Sequence, residues 1–151
     1  MARYLIDSHI FLWAIDTPEQ LLVEEREAIE DPSNDVAVSV ATFWELSIKL
    51  TKGSVRLRPG KEPIAGDYFA KQAGVAGFSI VPINPPEAEY VRSLPKIHKD
   101  PFDRLLIAQA RLSSRIVMTR DRVFARYPGI QPRRSPRHWR RLTSAESCIG
   151  I

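Results

Sequence analysis

A chain of 151 residues with 44% hydrophobic residues can close one ordinary domain around a single core, and a second domain is not expected. No stretch approaches the roughly 20 apolar residues that cross a bilayer, and Asp7 and His9 interrupt the apolar region that a signal peptide would need. A single cysteine, Cys148, excludes an intrachain disulfide and a cysteine-ligated metal. These features predict a cytoplasmic protein that does not enter a membrane.

The net charge of +4 belongs to the C-terminal end of the chain. From residue 132 onward there are five arginines and one acid, Glu146, so residues 1–131 carry 17 basic and 17 acidic side chains. The basic pI therefore describes the tail more than the fold. We expect a domain over residues 1–131 and an irregular basic extension over 132–151. A processing remnant, an unusual natural terminus and a nucleic-acid-binding arm all remain open for that extension.

Short β-branched runs alternate with helical segments along the domain. In chain order, the first predicted elements are strand 4–6, helix 8–13 capped by Ser8, helix 21–30 and strand 36–40. A helix follows that Thr42 or Ser39 caps and Gly53 ends, and after it a basic connection over 55–63. The remaining elements are helix 64–73, strand 78–83, a helix from Pro85, helix 101–113, strand 116–119 and a short helix over 121–127. This alternation predicts an α/β fold, a parallel sheet covered by helices on both faces in a three-layer α/β/α domain.

Four acidic residues stand where a predicted strand ends or a predicted helix begins: Asp7, Glu45, Asp103 and Asp121. Open α/β sheets place their sites at the carboxyl ends of the strands, so these distant carboxylates can converge at one edge. Hard oxygen ligands without an obvious His/Cys cluster favour Mg²⁺ or Mn²⁺ over zinc. His9 and His98 are expected to pack or to form hydrogen bonds rather than to ligate metal.

Each acid also has a structural interpretation. Asp100 before Pro101 is a near-ideal helix N-cap, and Asp103 sits where the helix dipole favours a carboxylate. Glu45 is compatible with a solvent-facing helix position, and Asp121 with another helix cap. Asp7 is harder to explain structurally, because an isolated charge directly after a buried strand is costly unless it is paired, hydrogen-bonded or bound to metal.

Four segments, taken together, resemble the PIN-domain family, and within it the VapC-like ribonuclease toxins of toxin–antitoxin systems. They are YLIDSH at 4–9, TFWEL at 42–46, HKDPFDRLLIAQA at 98–110 and TRD at 119–121. The third segment is specific, and the order and spacing of the others strengthen the match. The resemblance covers about residues 3–130 and leaves the arginine-rich tail outside the family pattern.

The resemblance implies a PIN fold with a four- or five-stranded parallel sheet and a metal-dependent endoribonuclease that acts on RNA. It also implies a cognate antitoxin and a homodimer. By motif, the family's catalytic, metal-binding quartet maps onto Asp7, Glu45, Asp103 and Asp121, with Asp100 and Thr119 in supporting positions. Arg104 could pair with an acid, contact phosphate or have a structural role, and the structural role is slightly favoured.

Three other functions compete with this interpretation. A haloacid-dehalogenase-like phosphatase would carry a second aspartate two residues after Asp7, where this chain has His9. A P-loop enzyme is disfavoured because Gly60-Lys61 is followed by Glu62 and lacks the upstream glycine at the required spacing. A non-catalytic PIN-like module that binds RNA or protein is the remaining alternative. All four acids are retained, which argues against it, because negative charge repels RNA phosphates.

Overall fold

The computed structural model describes residues 1–60 and 66–130, which form four strands and six α-helices. The strands are β1 (Arg3–Ile6), β2 (Asp35–Ser39), β3 (Ser79–Val81) and β4 (Ile116–Met118). The α-helices are α1 (Ser8–Asp16), α2 (Val23–Glu30), α3 (Val40–Thr51), α4 (Tyr68–Val75), α5 (Pro85–Tyr90) and α6 (Pro101–Ser113). Short 3₁₀ segments occur at Pro18–Gln20, Val91–Ser93 and Arg122–Arg126.

The strands form one parallel sheet in the order β3-β2-β1-β4, with β1 in the interior of the sheet. In its register, Tyr4 lies opposite Val36 of β2 and Ile116 of β4. Because all four strands run in the same direction, their carboxyl ends lie at a single edge of the sheet. The residues that follow β1 and β4 are therefore neighbours.

Alternate residues of the strands supply two separate hydrophobic layers. Ile6 and Val38 pack with residues of α1, α3 and α4 on one face of the sheet. Leu5, Ala37 and Val117 pack with residues of α6 and the last 3₁₀ segment on the other face. Side chains along a strand point alternately to opposite faces, so this division places helices on both sides. The predicted three-layer α/β/α architecture with a parallel sheet is confirmed.

Several element boundaries differ from the predicted ones because side-chain caps compete. Asp7, rather than Ser8, caps α1, which continues to Asp16 instead of stopping at residue 13. Ser39 caps α3, so Val40 begins that helix rather than ending β2. The predicted helix over 64–73 begins at Tyr68 in the described residues and runs to Val75, and the one over 121–127 is a 3₁₀ segment. The helix over 101–113 is confirmed without change.

The basic extension predicted over 132–151 lies outside the described residues, as does residue 131 of the expected domain. Among the helices that the structure describes, none has the length and apolar character needed to span a membrane.

Candidate functional site

The ends of β1 and β4 bring three of the singled-out residues into one hydrogen-bonded unit. The backbone N–H of Asp7 donates to the Met118 carbonyl at 3.2 Å, which fixes the two strand ends side by side. The Thr119 hydroxyl donates to Asp7 Oδ2 at 2.5 Å and accepts from the backbone N–H of Asp121 at 3.0 Å. Thr119 therefore joins Asp7 to Asp121, although 114 positions separate them along the chain.

Asp7 is a buried carboxylate with two structural partners. Its Oδ1 accepts from the Ile10 amide at 2.8 Å and caps α1, while its Oδ2 accepts from Thr119. Burial raises the pKa of Asp7, and the nearby Glu45 carboxylate adds to that rise. The hydrogen bonds from Ile10 and Thr119 and the charge of His9 act in the opposite direction. The site therefore holds Asp7 in place at an electrostatic cost.

The start of α6 carries Asp103 to the same place. Asp100 Oδ1 accepts from the amides of Phe102 and Asp103, at 2.8 and 3.2 Å, and Pro101 occupies the first helical turn. The ring of Phe102 also contacts Trp44 of α3, with centroids 5.0 Å apart in an edge-on arrangement. The cap and this aromatic contact together fix the N-terminus of α6 against α3.

Glu45 faces the interior of the site rather than the solvent. Its residue is 7% exposed, so the solvent-facing interpretation of this position is wrong. Its charge raises the pKa of both Asp7 and Asp103. Lys49, one turn later on α3, places its Nζ 2.6 Å from Glu45 Oε1 and partly balances this charge.

The crowding of acids is clearest at Asp103, whose pKa is raised to about 7. Burial is the largest cause, followed by the charge of Asp100; Glu45 and Asp7 raise it further, and His98 opposes them. Mutual repulsion among the carboxylates contributes to the raised pKa values of Asp7 and Asp103. The repulsion is present, but burial contributes more than the neighbouring charges do.

This raised pKa predicts how the stability of the metal-free protein depends on pH. Folded Asp103 keeps its proton up to about pH 7, whereas the unfolded chain releases it near the ordinary value of 3.8. Unfolding therefore releases a proton between these limits, and the free energy of unfolding falls as the pH rises through them. We expect Asp103→Asn to melt close to wild type at pH 4 and roughly 5 °C above it at pH 7.5.

Thermal melts of the metal-free proteins across this pH range measure the effect. Asp35→Asn is the control, and its effect on stability should have the opposite sign, since Arg115 pairs with Asp35 and lowers its pKa. That variant should lose stability at neutral pH, and the loss should shrink as the pH falls. A melting difference between wild type and Asp103→Asn that does not change with pH contradicts the prediction.

His98 connects Asp103 to Asp121. Its Nε2 lies 3.0 Å from Asp103 Oδ2 and 3.1 Å from Asp121 Oδ2. Its Nδ1 accepts from the backbone N–H of Asp100 at 3.2 Å. In the neutral ring only one nitrogen carries a proton, so this contact assigns the proton to Nε2, which donates to the two carboxylates. Asp121 Oδ1 meanwhile accepts from the Val123 amide at 2.9 Å, which is the predicted cap.

Sequence reasoning assigned His98 to packing or hydrogen bonding and missed its place between two of the four acids. A signal was present, because His98 lies two residues before the helix cap Asp100 and in the same segment as Asp103. The sequence alone does not show that the segment after β4 places Asp121 next to the imidazole ring of His98. The expectation that His98 forms hydrogen bonds is confirmed, and its position among the acids was not predicted.

We expect His98→Gln to bind Mn²⁺ about 10- to 100-fold more weakly, because partners that orient metal-binding carboxylates typically contribute that much. A glutamine amide keeps a hydrogen-bond donor but not the rigid ring that reaches both carboxylates. Isothermal titration with Mn²⁺ at constant pH gives the dissociation constants. Lys99→Gln, at the exposed next position, is the matched control and should bind as wild type does. Equal or tighter Mn²⁺ binding by His98→Gln would show that His98 does not organise the site.

Arg104 points away from the acids and into the backbone of the preceding connection. Its guanidinium donates to the carbonyls of Pro95 at 2.8 Å, Val91 at 3.0 Å and Leu94 at 3.3 Å. These contacts support the structural alternative for Arg104, because they tie the segment before α6 to the helix that carries Asp103.

The donor set is suited to a divalent cation. Carboxylate oxygens of Asp103 and Asp121 and a ring nitrogen of His98 lie within 4.8 Å of one another. The negative charges of Asp7 and Glu45 raise the pKa of Asp103, and a bound cation would offset this negative potential. Carboxylate oxygens suit Mg²⁺ and Mn²⁺, while His98, whose Nε2 carries the proton, orients the carboxylates of Asp103 and Asp121 as a hydrogen-bond donor.

Solved structures of the same fold come from toxin–antitoxin systems. VapBC2 from Rickettsia felis, bound to a DNA fragment from its promoter, aligns with a TM-score of 0.62 at 15% identity over 86% of this chain and 96% of that one. A toxin–antitoxin complex from Klebsiella pneumoniae aligns with a TM-score of 0.55 at 22% identity over 84% of this chain and 94% of that one. At these identities the likeness shows the fold.

Among curated proteins, no sequence is significantly similar to this chain. The family model of the PIN domain, in contrast, matches residues 4–130. This range runs from the first residues of β1 to the end of the described chain and includes every acid of the site. With the parallel sheet, the two covering layers and the carboxylates at the sheet edge, the match establishes that the chain belongs to the PIN domain family.

Proposed function

We propose that this protein is a Mg²⁺- or Mn²⁺-dependent endoribonuclease, the toxin of a toxin–antitoxin pair, whose catalytic domain spans residues 1–131. The observation that supports the proposal is the hydrogen-bonded connection of Asp7 to Asp121 through Thr119 and of Asp121 to Asp103 through His98, at the carboxyl ends of β1 and β4, with the charge of Glu45 acting on Asp7 and Asp103. So much negative charge disfavours a surface that merely binds RNA, because phosphates would be repelled from it unless a cation intervened.

Each residue has a distinct part in the proposed reaction. Asp7, Asp103 and Asp121 would hold the divalent ion, with Thr119 and Asp100 keeping them in position. When bound, such an ion supplies Lewis acidity that activates water and stabilises charge on a phosphoryl group. Glu45 would ligate the ion or position the attacking water. Hydrolysis of this kind requires no covalent nucleophile, so no serine or cysteine is assigned a role.

The partners follow from the family and from the toxin–antitoxin assemblies with the same fold. We infer a cognate antitoxin that inserts a segment into or beside the acidic pocket, a homodimer, and action on RNA in the cytoplasm. Three apolar residues of α1, Phe11, Leu12 and Trp13, are candidates for contact with the antitoxin. Phe11 is fully buried in the core, so Leu12 and Trp13, both partly exposed, are the ones that remain.

The test is cleavage of single-stranded RNA by the purified protein with Mg²⁺ or Mn²⁺, repeated after EDTA is added. We expect EDTA to abolish cleavage. We also expect the product of a neighbouring gene to inhibit cleavage when the two proteins are co-expressed. Cleavage indifferent to EDTA would overturn the metal-dependent proposal. Toxicity that no neighbouring gene product relieves would overturn the antitoxin, and a monomer mass that does not change with concentration would overturn the dimer.

A further inference from the structure

His98 is held by the short segment that follows β4. This segment begins at the cap Asp121, continues through the 3₁₀ turn Arg122–Arg126 and ends at Tyr127. Asp121 Oδ2 lies 3.1 Å from the imidazole Nε2, and the ring of Phe124 contacts the imidazole in a T-shaped arrangement with centroids 6.0 Å apart. The Tyr127 hydroxyl accepts from the backbone N–H of His98 at 2.7 Å. One segment therefore contacts both the side chain and the backbone of this histidine.

Tyr127 is fixed by packing at its ring and by a hydrogen bond at its hydroxyl. The residue is 2% exposed and belongs to the hydrophobic layer that contains Phe124 and Leu106. A buried tyrosine hydroxyl ordinarily has a hydrogen-bond partner, and here the partner is a backbone amide 29 positions earlier in the chain. The packed ring thus directs the hydroxyl at one atom of the His98 backbone.

Arg104 holds the other polar group of the same backbone. Its Nη1 donates to the His98 carbonyl at 3.4 Å and lies 3.5 Å from the Tyr127 hydroxyl. The N–H and the carbonyl of His98 are therefore both bound by side chains, one from the end of the 3₁₀ segment and one from α6. This places His98 firmly, although it lies in the connection before the helix.

The position of the His98 backbone decides where the imidazole proton lies. Nε2 is 3.0 Å from Asp103 Oδ2 and 3.1 Å from Asp121 Oδ2, so the ring reaches both carboxylates from one point. Contacts of about 3.6 Å no longer count as hydrogen bonds, so a backbone shift of roughly 0.5 Å is enough to lose one of them. A residue that fixes this backbone therefore controls the spacing of two proposed metal ligands.

We propose that Tyr127 is a positioning residue of the acidic site, and that its hydroxyl fixes His98 so that the imidazole donates to Asp103 and Asp121 together. The inference rests on the proposed function, because it concerns the site that would hold the cation. Tyr127 acts through His98 and not on the ion itself. Its two parts have separate roles, since the ring fills the hydrophobic layer and the hydroxyl holds the histidine.

Tyr127→Phe tests the hydroxyl and keeps the ring. Isothermal titration with Mn²⁺ at constant pH should give a dissociation constant about fivefold higher than that of wild type, below the 10- to 100-fold typical of a residue that contacts the ligands directly. Tyr90→Phe is the matched control. Its hydroxyl accepts from Arg111 of α6 at 3.4 Å, and its ring packs on the same hydrophobic layer. This control should bind Mn²⁺ as wild type does.

A double variant distinguishes positioning from a general loss of stability. His98→Gln lacks the ring that the hydroxyl positions, so adding Tyr127→Phe to it should weaken Mn²⁺ binding by less than about twofold. An effect of Tyr127→Phe that is equally large in both backgrounds overturns the inference, because the hydroxyl then does not act through the imidazole. Wild-type Mn²⁺ affinity of Tyr127→Phe overturns it as well.

The nitrogen chemical shifts of the His98 ring give a second measurement, made in EDTA, that a loss of stability alone does not change. At mildly alkaline pH, where an imidazole is ordinarily neutral, wild type should show the tautomer protonated at Nε2. The signal is assigned by its absence from His98→Gln. Tyr127→Phe should shift it toward the average of the two tautomers, and Tyr90→Phe should not. An unchanged His98 signal in Tyr127→Phe overturns the inference.

Hydrogen exchange of the wild type covers the case in which Tyr127→Phe does not fold. The His98 amide should exchange at least about 100-fold more slowly than the same amide in an unstructured chain, because the Tyr127 hydroxyl accepts its hydrogen bond. Slow exchange supports the inference. Exchange as fast as in an unstructured chain overturns it, since His98 is then not held.

The two proposals fail in different ways. Metal-dependent RNA cleavage by the wild type, with Mn²⁺ binding that does not depend on the Tyr127 hydroxyl, leaves the nuclease standing and removes the positioning role. Mn²⁺ binding that depends on the hydroxyl, without RNA cleavage, removes the nuclease and leaves Tyr127 as part of a metal-binding module. Absence of Mn²⁺ binding by the wild type overturns both.

Discussion

Asp7→Asn should lose RNA cleavage by more than about 100-fold while the protein remains folded. Removing partners that only orient a metal ligand typically costs 10- to 100-fold, so a direct ligand should cost more. The fold should survive because asparagine is as good an N-cap as aspartate, and its side-chain oxygen can still accept from Ile10. Since burial raises the pKa of Asp7, a neutral side chain removes a charge that the folded state disfavours. The melting temperature should equal or exceed that of wild type.

Cleavage assays with Mg²⁺ or Mn²⁺, together with thermal melts, measure both effects. Asp100→Asn is the matched control, because it also removes one carboxylate charge near the site and keeps the cap of α6. It should lose far less activity. If folded Asp7→Asn cleaves RNA as wild type does, the metal-nuclease proposal is wrong and the binding-module alternative takes its place.

Arg104→Met should lower the free energy of unfolding by about 2–4 kcal/mol, because it leaves the partly buried carbonyls of Val91, Leu94 and His98 without this donor. Arg104→Lys should recover little of this stability. An ammonium group is a compact donor, whereas the planar guanidinium reaches Val91, Leu94 and Pro95 at once. Urea denaturation gives the free energies.

Arg92→Met, at an exposed position in the same connection, is the control and should unfold close to wild type. The experiment also distinguishes a structural role of Arg104 from a contact with phosphate. A variant that keeps full stability, but whose RNA affinity depends less steeply on salt concentration, would show that Arg104 contacts phosphate instead.

Much of the fold follows from local patterns. The helix over 101–113 was predicted without error because a proline in the first turn, an aspartate cap and an apolar repeat all agree. The strand beginning at Ile116 and the helix beginning at Pro85 carry equally clear signals. The predicted helix boundaries were wrong where two residues could serve as the cap, as at Asp7 and Ser8. Only the folded chain decides which side chain reaches the free amides.

The site was harder to predict, because its details are tertiary. Glu45 lies on a helix whose periodicity alone favours an exposed position, and its burial arises from the contact of α3 with α6. The contact of His98 with Asp121 joins residues 23 positions apart and has no local pattern. For Arg104 the sequence slightly favoured a structural role, and the contacts of its side chain with the preceding connection support that role.

Asp7 and Asp100 are helix caps as well as members of the acidic group. The N-termini of α1 and α6 consequently point toward the place where the carboxylates meet, and each helix end carries the equivalent of roughly half a positive charge. These fixed partial charges oppose the repulsion among the acids before any ion arrives. The domain therefore has its own internal counter-charge. If the site holds a divalent cation as proposed, we expect the domain to fold without the ion and to bind it afterwards.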